Sequence, residues 1–311
     1  VSLKYDIPPL SKVENPFNSV IPVKPYYFTE LGSAYLGDSL EIMKYLPDNS
    51  INLIVTSPPY ALVFKKEYGN VDANEYVEWF MKFADEFKRI LNDDGSLVIN
   101  IGGSWNKGEP TKSTYQFELL IELAKKFYLC QEFYWYNPAK LPSPAEWVNV
   151  RRIRVKDSVE LVIWLSKAPF PKADNRNVLQ PYSEDMKRLI KNGYRAKKRP
   201  SGHNITDKFR KDNSGSIPPN FLQIGNTDSG SPYLKKCKDL KIKPHPARFP
   251  KELPQFFIDF LTDRGDLILD PFCGSNVTGF AAENSNRRWI GIDLSEEYLK
   301  GSEFRFPRIY K

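Results

Sequence analysis

The chain predicts a doubly wound α/β fold with a mostly parallel sheet. Three observations carry that prediction. Ile51–Thr56, Ser96–Ile101 and Leu267–Asp270 are short apolar runs, the first two rich in β-branched residues, and read as strands buried on both faces. Between the first two lies a helical repeat, with apolar residues at 76, 77, 80, 83, 84, 87, 90 and 91. The first and third strands end in tight turns, Ser57-Pro58-Pro59-Tyr60 and Pro271-Phe272-Cys273-Gly274-Ser275-Asn276. Such turns fall at the carboxyl edge of the sheet, where open α/β folds bind ligands.

Taken in order, residues 1–30 carry Pro8, Pro9, Pro16, Pro22 and Pro25 and read as an arm over the surface. Residues 31–171 begin a domain half. Ser33–Leu36 is a strand stopped at Gly37-Asp38, and Ser39–Leu46 a short helix broken by Pro47. After the central strand, two prolines that cannot donate to a ladder end it. A polar loop, Lys65–Asn70, precedes the helix Glu75–Leu91, which Asn92–Gly95 stops with Gly95 suited to a left-handed position. Gly102-Gly103 lets the next strand's exit run close to a neighbour. A helix Gln116–Phe127 and strands Gln131–Tyr136 and Ser158–Leu165 follow, the strands separated by prolines and the basic run Arg151–Lys156. Residues 172–244 break the alternation and read as a loop-rich insert with one short helix, Ser183–Asn192. Residues 245–311 resume it: helix Leu253–Leu261, a stop at Arg264-Gly265, then strand, turn, helix Val277–Asn284 and strand Arg288–Asp293.

Composition narrows the function. The 311 residues suffice for one large or two modest domains. No apolar run approaches ~18 residues, so no membrane span is expected, and the first residues have no leader core. Three scattered cysteines, Cys130, Cys237 and Cys273, read as free thiols of a reducing compartment, which places the chain in the cytoplasm. Two histidines and no C-x-x-C leave no expectation of a metal site. The net charge is +7, but Lys172–Lys243 holds 17 Lys and Arg against 7 Asp and Glu, so the remainder is mildly acidic. A basic insert on an acidic body is the footprint of a nucleic-acid contact surface.

Residues 266–298 form a βαβ nucleotide-binding unit, in which helix N–H groups receive an anionic ligand end and Asp293 accepts from ribose hydroxyls. A nicotinamide oxidoreductase would also own that unit, but leaves the insert and Ser-Pro-Pro-Tyr unexplained. A catalytically silent DNA-binding protein explains the insert and not the turn. A C5-cytosine methylase needs a cysteine nucleophile, which members of that family carry in a Pro-Cys pair; this chain has no such pair, and that reading is set aside.

Asp270-Pro-Phe-Cys-Gly-Ser with Asp293 after it, and Thr-Ser-Pro-Pro-Tyr before it, resembles the DNA amino-methyltransferases. The order of catalytic turn, basic insert and cofactor turn resembles their circularly permuted beta class. Serine in the catalytic motif is similar to the cytosine-N4 branch. Lys140-Leu-Pro-Ser-Pro, Arg199-Pro-Ser-Gly-His, Gly215-Ser-Ile-Pro-Pro-Asn and His245-Pro-Ala-Arg-Phe-Pro resemble its PvuII-type members. The resemblance implies a site-specific methyltransferase that takes a methyl group from S-adenosylmethionine to a flipped base in double-stranded DNA. It implies catalytic roles for Ser57, Pro58, Pro59 and Tyr60. Cofactor contacts would come from Asp38, His245, Phe249, Asp270, Phe272, Gly274, Ser275, Asn276 and Asp293. DNA contacts are expected from Arg151, Arg152, Arg154, Arg195, Lys197, Lys198, Arg199, Ser201 and His203. Adenine-N6 transfer uses the same kind of turn and stays open here, as do a homodimer and a cognate restriction endonuclease. Two positions depart from the family pattern. Asn276 stands where many members have Gly, and Asn tolerates a left-handed backbone. Asn100 stands at a strand end where some relatives carry an acid.

Overall fold

The computed structural model describes residues 14–61, 72–192, 211–227 and 230–311. The polar loop Lys65–Asn70 and the first 13 residues of the arm lie outside them. The chain divides into two compact units, one of residues 1–173 with 220–311, the other of residues 174–219.

The larger unit is built on a nine-stranded sheet in the order β1-β2-β9-β8-β3-β4-β6-β5-β7. Its strands are β1 Tyr27–Phe28, β2 Gly32–Leu36, β3 Ile51–Thr56, β4 Leu91–Ile101, β5 Tyr128–Tyr136, β6 Val159–Ser166, β7 Phe221–Gln223, β8 Leu267–Asp270 and β9 Arg288–Asp293. The run β2-β9-β8-β3-β4 is wholly parallel. Helices α1 Ser39–Met43, α2 Ala73–Ile90 and α3 Tyr115–Ala124 supply one apolar layer; α6 Glu252–Leu261, α7 Val277–Asn284 and α8 Glu296–Ser302 supply the other. Strand alternation feeds both layers: Leu97, Ile99 and Ile101 of β4 enter the first, Val98 the second. This is the doubly wound α/β architecture that the sequence predicts.

Three details differ from the sequence reading. The arm is pinned into the body, with Phe17 and Ile21 buried in the first layer and Asn15 hydrogen-bonded to Ser33. Gly95 is not left-handed; a Cβ there would lie 3.0 Å from the Asn92 carbonyl oxygen, so the position demands close backbone approach instead. The insert is also shorter than residues 172–244. From Asn220 the chain rejoins the larger unit, where β7 pairs in parallel with β5 and α5 Pro232–Asp239 buries Tyr233 and Cys237. The smaller unit keeps the expected short helix, α4 Glu184–Asn192.

Topology assembles the functional edge. Parallel strands β9, β8, β3 and β4 all end on it. β6 runs antiparallel to β4, with Asn100 opposite Val162 and Ile101 opposite Leu161, so the beginning of β6 meets the end of β4.

Candidate active site

A cavity of about 710 Å³ opens at this edge, within the range that holds small ligands. Ser57, Pro58, Pro59 and Tyr60 line it, as do Asp38, His245, Phe249, Asp270, Phe272, Gly274, Ser275 and Asp293. Two turns far apart in sequence thus face one space.

The cofactor turn is shaped from within. Asp270, buried at the end of β8, accepts from Thr56 Oγ1 (2.8 Å) and Phe272 N (3.1 Å) with one oxygen and from Thr278 Oγ1 (2.7 Å) with the other. Burial pushes its carboxyl up to about 6. Its bonds hold the turn, and Thr56 couples the turn to the residue before Ser57. Gly274 has φ +50°, and a Cβ there would lie 3.0 Å from His245 Nε2, so backbone and imidazole share space that only glycine leaves open. Asn276 adopts φ 52°, ψ 47°, the left-handed conformation. It caps α7 by accepting from Gly279 N at 3.0 Å and donates to Tyr27 Oη at 2.9 Å. It therefore sits beneath the turn and does not line the cavity. Ser275 accepts from the Arg305 guanidinium at both its carbonyl and its hydroxyl oxygen.

Asp293, at the end of β9, accepts from Gly274 N at 2.7 Å and Ser295 N at 2.8 Å. Burial raises its pKa above the ordinary carboxylate value. Each oxygen retains a lone pair for a ligand hydroxyl. Asp38 is exposed and caps α1 by accepting from Leu40 N at 2.7 Å. His245 meets Tyr298 edge to face at 4.4 Å, and burial pulls its imidazole down to about 4, so it is neutral near pH 7. Phe272 packs on Trp79 (5.8 Å) and Phe83 (5.0 Å), giving an aromatic wall.

The catalytic turn is arranged by residues brought from elsewhere. Tyr60 lies against Gly102, where a Cβ would meet its ring at 2.6 Å, the close approach expected of Gly102-Gly103. Its hydroxyl donates to Glu160 Oε2 at 2.8 Å and contacts Ser57 Oγ at 3.2 Å. Asn100 Nδ2 donates to Tyr60 Oη at 2.7 Å and to Glu160 Oε2 at 3.1 Å. Lys140 Nζ donates to Glu160 Oε1 at 3.0 Å.

A DNA methylase family model, N6_N4_Mtase, matches residues 51–304, which span both turns. The chain belongs to this family. It is 53% identical over 288 residues to the type II methyltransferase M.PvuII of Proteus hauseri, covering 91% of this chain and 86% of that one. Type II methyltransferase M.ScaI of Streptomyces caespitosus is 29% identical over 279 residues, with 89% and 81% covered. Among solved structures, the PvuII DNA methyltransferase (cytosine-N4-specific) superposes with a TM-score of 0.76 at 45% identity, covering 93% of this chain and 90% of that one.

The donor set of this DNA methylase suits S-adenosylmethionine. The cavity offers carboxylate oxygens at Asp38 and Asp293 for hydroxyl and amino groups, an aromatic wall for a heterocycle, and a glycine turn that leaves room against the backbone. Asp38, His245, Phe249, Phe272, Gly274, Ser275 and Asp293 would hold it, on a turn kept in shape by Asp270 and Asn276.

Of the expected DNA contacts, Arg195, Lys197, Lys198, Arg199, Ser201 and His203 lie outside the described residues. Arg151 and Arg152 are exposed, Arg151 stacked on Trp147 at 5.0 Å. Arg154 is engaged inward, its guanidinium 4.1 Å from the Trp105 ring and donating to the Pro110 carbonyl, so it braces the segment that carries the other two. Sequence reasoning missed Thr56, Glu160 and the role of Lys140. Glu160 had a signal: it is the one charged residue in Val159–Ser166. Among the described residues there is no cluster of metal-binding side chains and no helix long and apolar enough to cross a membrane.

Proposed function

We propose that the chain is a site-specific DNA methyltransferase acting on the N4 amino group of a cytosine flipped out of duplex DNA. It serves as the modification half of a restriction–modification system in the cytoplasm. The observation that carries this reading is the meeting of Ser57-Pro58-Pro59-Tyr60 and the cofactor turn in one cavity, joined by the Thr56–Asp270 hydrogen bond. S-adenosylmethionine, when bound, supplies a methyl group already activated on a sulfonium.

The protein's work is then to place and polarise the amine. The N4 lone pair is delocalised into the ring and is a poor nucleophile until its hydrogens find acceptors. Ser57 Oγ and the Pro58 carbonyl offer two acceptors, held before reaction by a proline-stiffened turn. Tyr60 presents its ring to the cavity and stacks on the extruded base. The amine's proton leaves late to water, so no strong base is needed. The basic residues of the insert are the cations that hold phosphates and read the grooves, and Arg151 and Arg152 of the larger unit add phosphate contacts. A cognate endonuclease would share the same target, which the PvuII-type strings suggest is a short palindrome such as CAGCTG.

Mass spectrometry of nucleosides from DNA treated with the protein and a labelled methyl donor tests the reading. N4-methylcytosine is expected. N6-methyladenine would give the activity to the adenine branch, and no methylated base on DNA carrying varied sites would leave a silent binder.

A further inference from the structure

Glu160 is most simply explained by the direction it gives to the protons around it. It stands at the start of β6, opposite the end of β4, with a side chain 16% exposed. Its two oxygens are divided. Oε1 is occupied by Lys140, while Oε2 accepts from Tyr60 Oη and Asn100 Nδ2. A phenol has one proton to give and two acceptor positions. Because Tyr60 gives its proton to the carboxylate, the 3.2 Å contact between Ser57 and Tyr60 is made with Ser57 as donor. Asn100 Nδ2, at 2.7 Å, fills the second acceptor position of the phenol. The only proton of Ser57 is thereby turned away from the substrate. What its Oγ has left is lone pairs, touched among the described residues only by Asn100 Nδ2 at 3.5 Å.

We infer that Glu160 is a positioning residue for transfer: it orders the hydrogen bonds Ser57→Tyr60→Glu160, so that Ser57 meets the amino group as an acceptor. Without the carboxylate, the Tyr60 proton is free to turn to Ser57 and the serine proton to point into the cavity, opposing an N–H donor. Other features agree. Burial, and then the charge of Glu160, push the Tyr60 phenol well above its ordinary pKa, so it keeps the proton it donates. The amide of Asn100 turns its NH₂ to the carboxylate and leaves its own Oδ1 buried without a hydrogen-bond partner. Such an orphaned acceptor is destabilising, and it is tolerated here beside the reacting atoms. The carboxylate beside Asn100 and Tyr60 thus comes from the neighbouring strand β6.

This inference rests on the reading of Ser57 as an amine acceptor. Its test is single-turnover transfer, with labelled cofactor prebound, in the unmodified protein, Glu160→Gln, Ser57→Ala and the double variant. Glu160→Gln is expected to slow transfer roughly ten- to a hundredfold. Cofactor affinity, measured by calorimetry, should stay within about twofold. In the Ser57→Ala background the same change should cost less than about threefold, because a residue that acts through Ser57 has nothing left to act on. An unchanged rate in Glu160→Gln, or an equal loss in both backgrounds, overturns the assignment. Should Glu160→Gln fail to fold, Tyr60→Phe removes only the linking hydroxyl and must show the same non-additivity with Ser57→Ala; additive losses reject the chain of bonds. If the unmodified protein transfers nothing, the proposed function itself has failed. If it transfers and Glu160→Gln keeps pace, only the role of Glu160 falls.

Discussion

The two turns that share the cavity are built in opposite ways. The cofactor turn is largely self-sufficient: Asp270 bonds to Phe272 and Thr278, Asp293 to Ser295 and Gly274, and Asn276 to Gly279. The catalytic turn has two rigid prolines but draws its polar order from distant positions, with Tyr60 and Glu160 100 residues apart in the chain. The first is held mainly by local bonds, with Thr56, Tyr27 and Arg305 adding distant ones, the second mainly by sheet topology. The cofactor turn should therefore tolerate changes that preserve its backbone, whereas the catalytic turn should lose rate when one hydroxyl goes.

The sharpest way to break this contrast is Ser57→Ala. It removes one acceptor and leaves the Pro58 carbonyl and both prolines, so fold and cofactor affinity should survive. Single-turnover transfer should slow roughly ten- to a thousandfold, the scale of losing one preorganised partner. Full activity would make the Pro58 carbonyl the principal acceptor and remove Ser57 from the chemistry.

The uneven legibility of the two turns follows from the same difference. Asp270, Gly274 and Asp293 were readable because their partners lie mostly within a few residues or within one βαβ unit. The left-handed backbone at Asn276 was readable too, since a short polar side chain that can bond locally is one of the few that visit that region. Glu160 was not readable as a neighbour of Tyr60. That requires knowing that β6 runs antiparallel beside β4, and an apolar run carries no direction. The insert boundary was missed for a related reason. Phe221–Gln223 is only three residues long, too short to show a period, and joins the sheet through pairing with β5.

The cofactor side has a pH weakness. Burial holds the His245 imidazole down to about 4, against an ordinary value of 6.5. The unfolded chain takes up this proton as pH falls below 6.5, the folded chain only near 4, so acid in that window favours unfolding. The stability is present above 6.5 and lost on the way to 4. Asp270 works the other way, since its raised carboxyl binds a proton in the folded state first, near 6. In His245→Gln the loss of stability between about pH 7.5 and pH 4.5, measured by urea unfolding, should shrink by roughly 2–3 kcal/mol. An unchanged acid loss would mean that the imidazole is charged in the folded protein.

Asp293→Ala tests the cofactor turn at its ligand-facing acid. Calorimetry should show S-adenosylmethionine binding weakened by one or two tenfold steps, each worth ~1.4 kcal/mol. Unchanged affinity would remove Asp293 from the ligand and leave it only the two backbone N–H groups it accepts from.

The smallest effect should come from Asn276→Gly, and it asks whether backbone shape is all the turn requires. Glycine enters the left-handed region more easily than asparagine, which favours the variant. The variant loses the α7 cap, but replacing an N-cap residue with glycine costs only a few tenths of a kcal/mol. It also loses the bond to Tyr27, whose hydroxyl keeps Ser302 as a partner at 2.7 Å and so is not stranded. These terms oppose one another, and the net change in unfolding free energy should stay below about 1 kcal/mol. Asn276 does not line the cavity, so cofactor affinity should hold within about threefold. Asn276→Val is the contrast: it forces a β-branched residue into the left-handed region and removes the cap with nothing in exchange, which should cost roughly 2–4 kcal/mol. Were Asn276→Gly to lose cofactor binding as badly as Asn276→Val, the asparagine side chain would itself be part of the ligand site, and the turn would not be the self-sufficient backbone device that its hydrogen bonds describe.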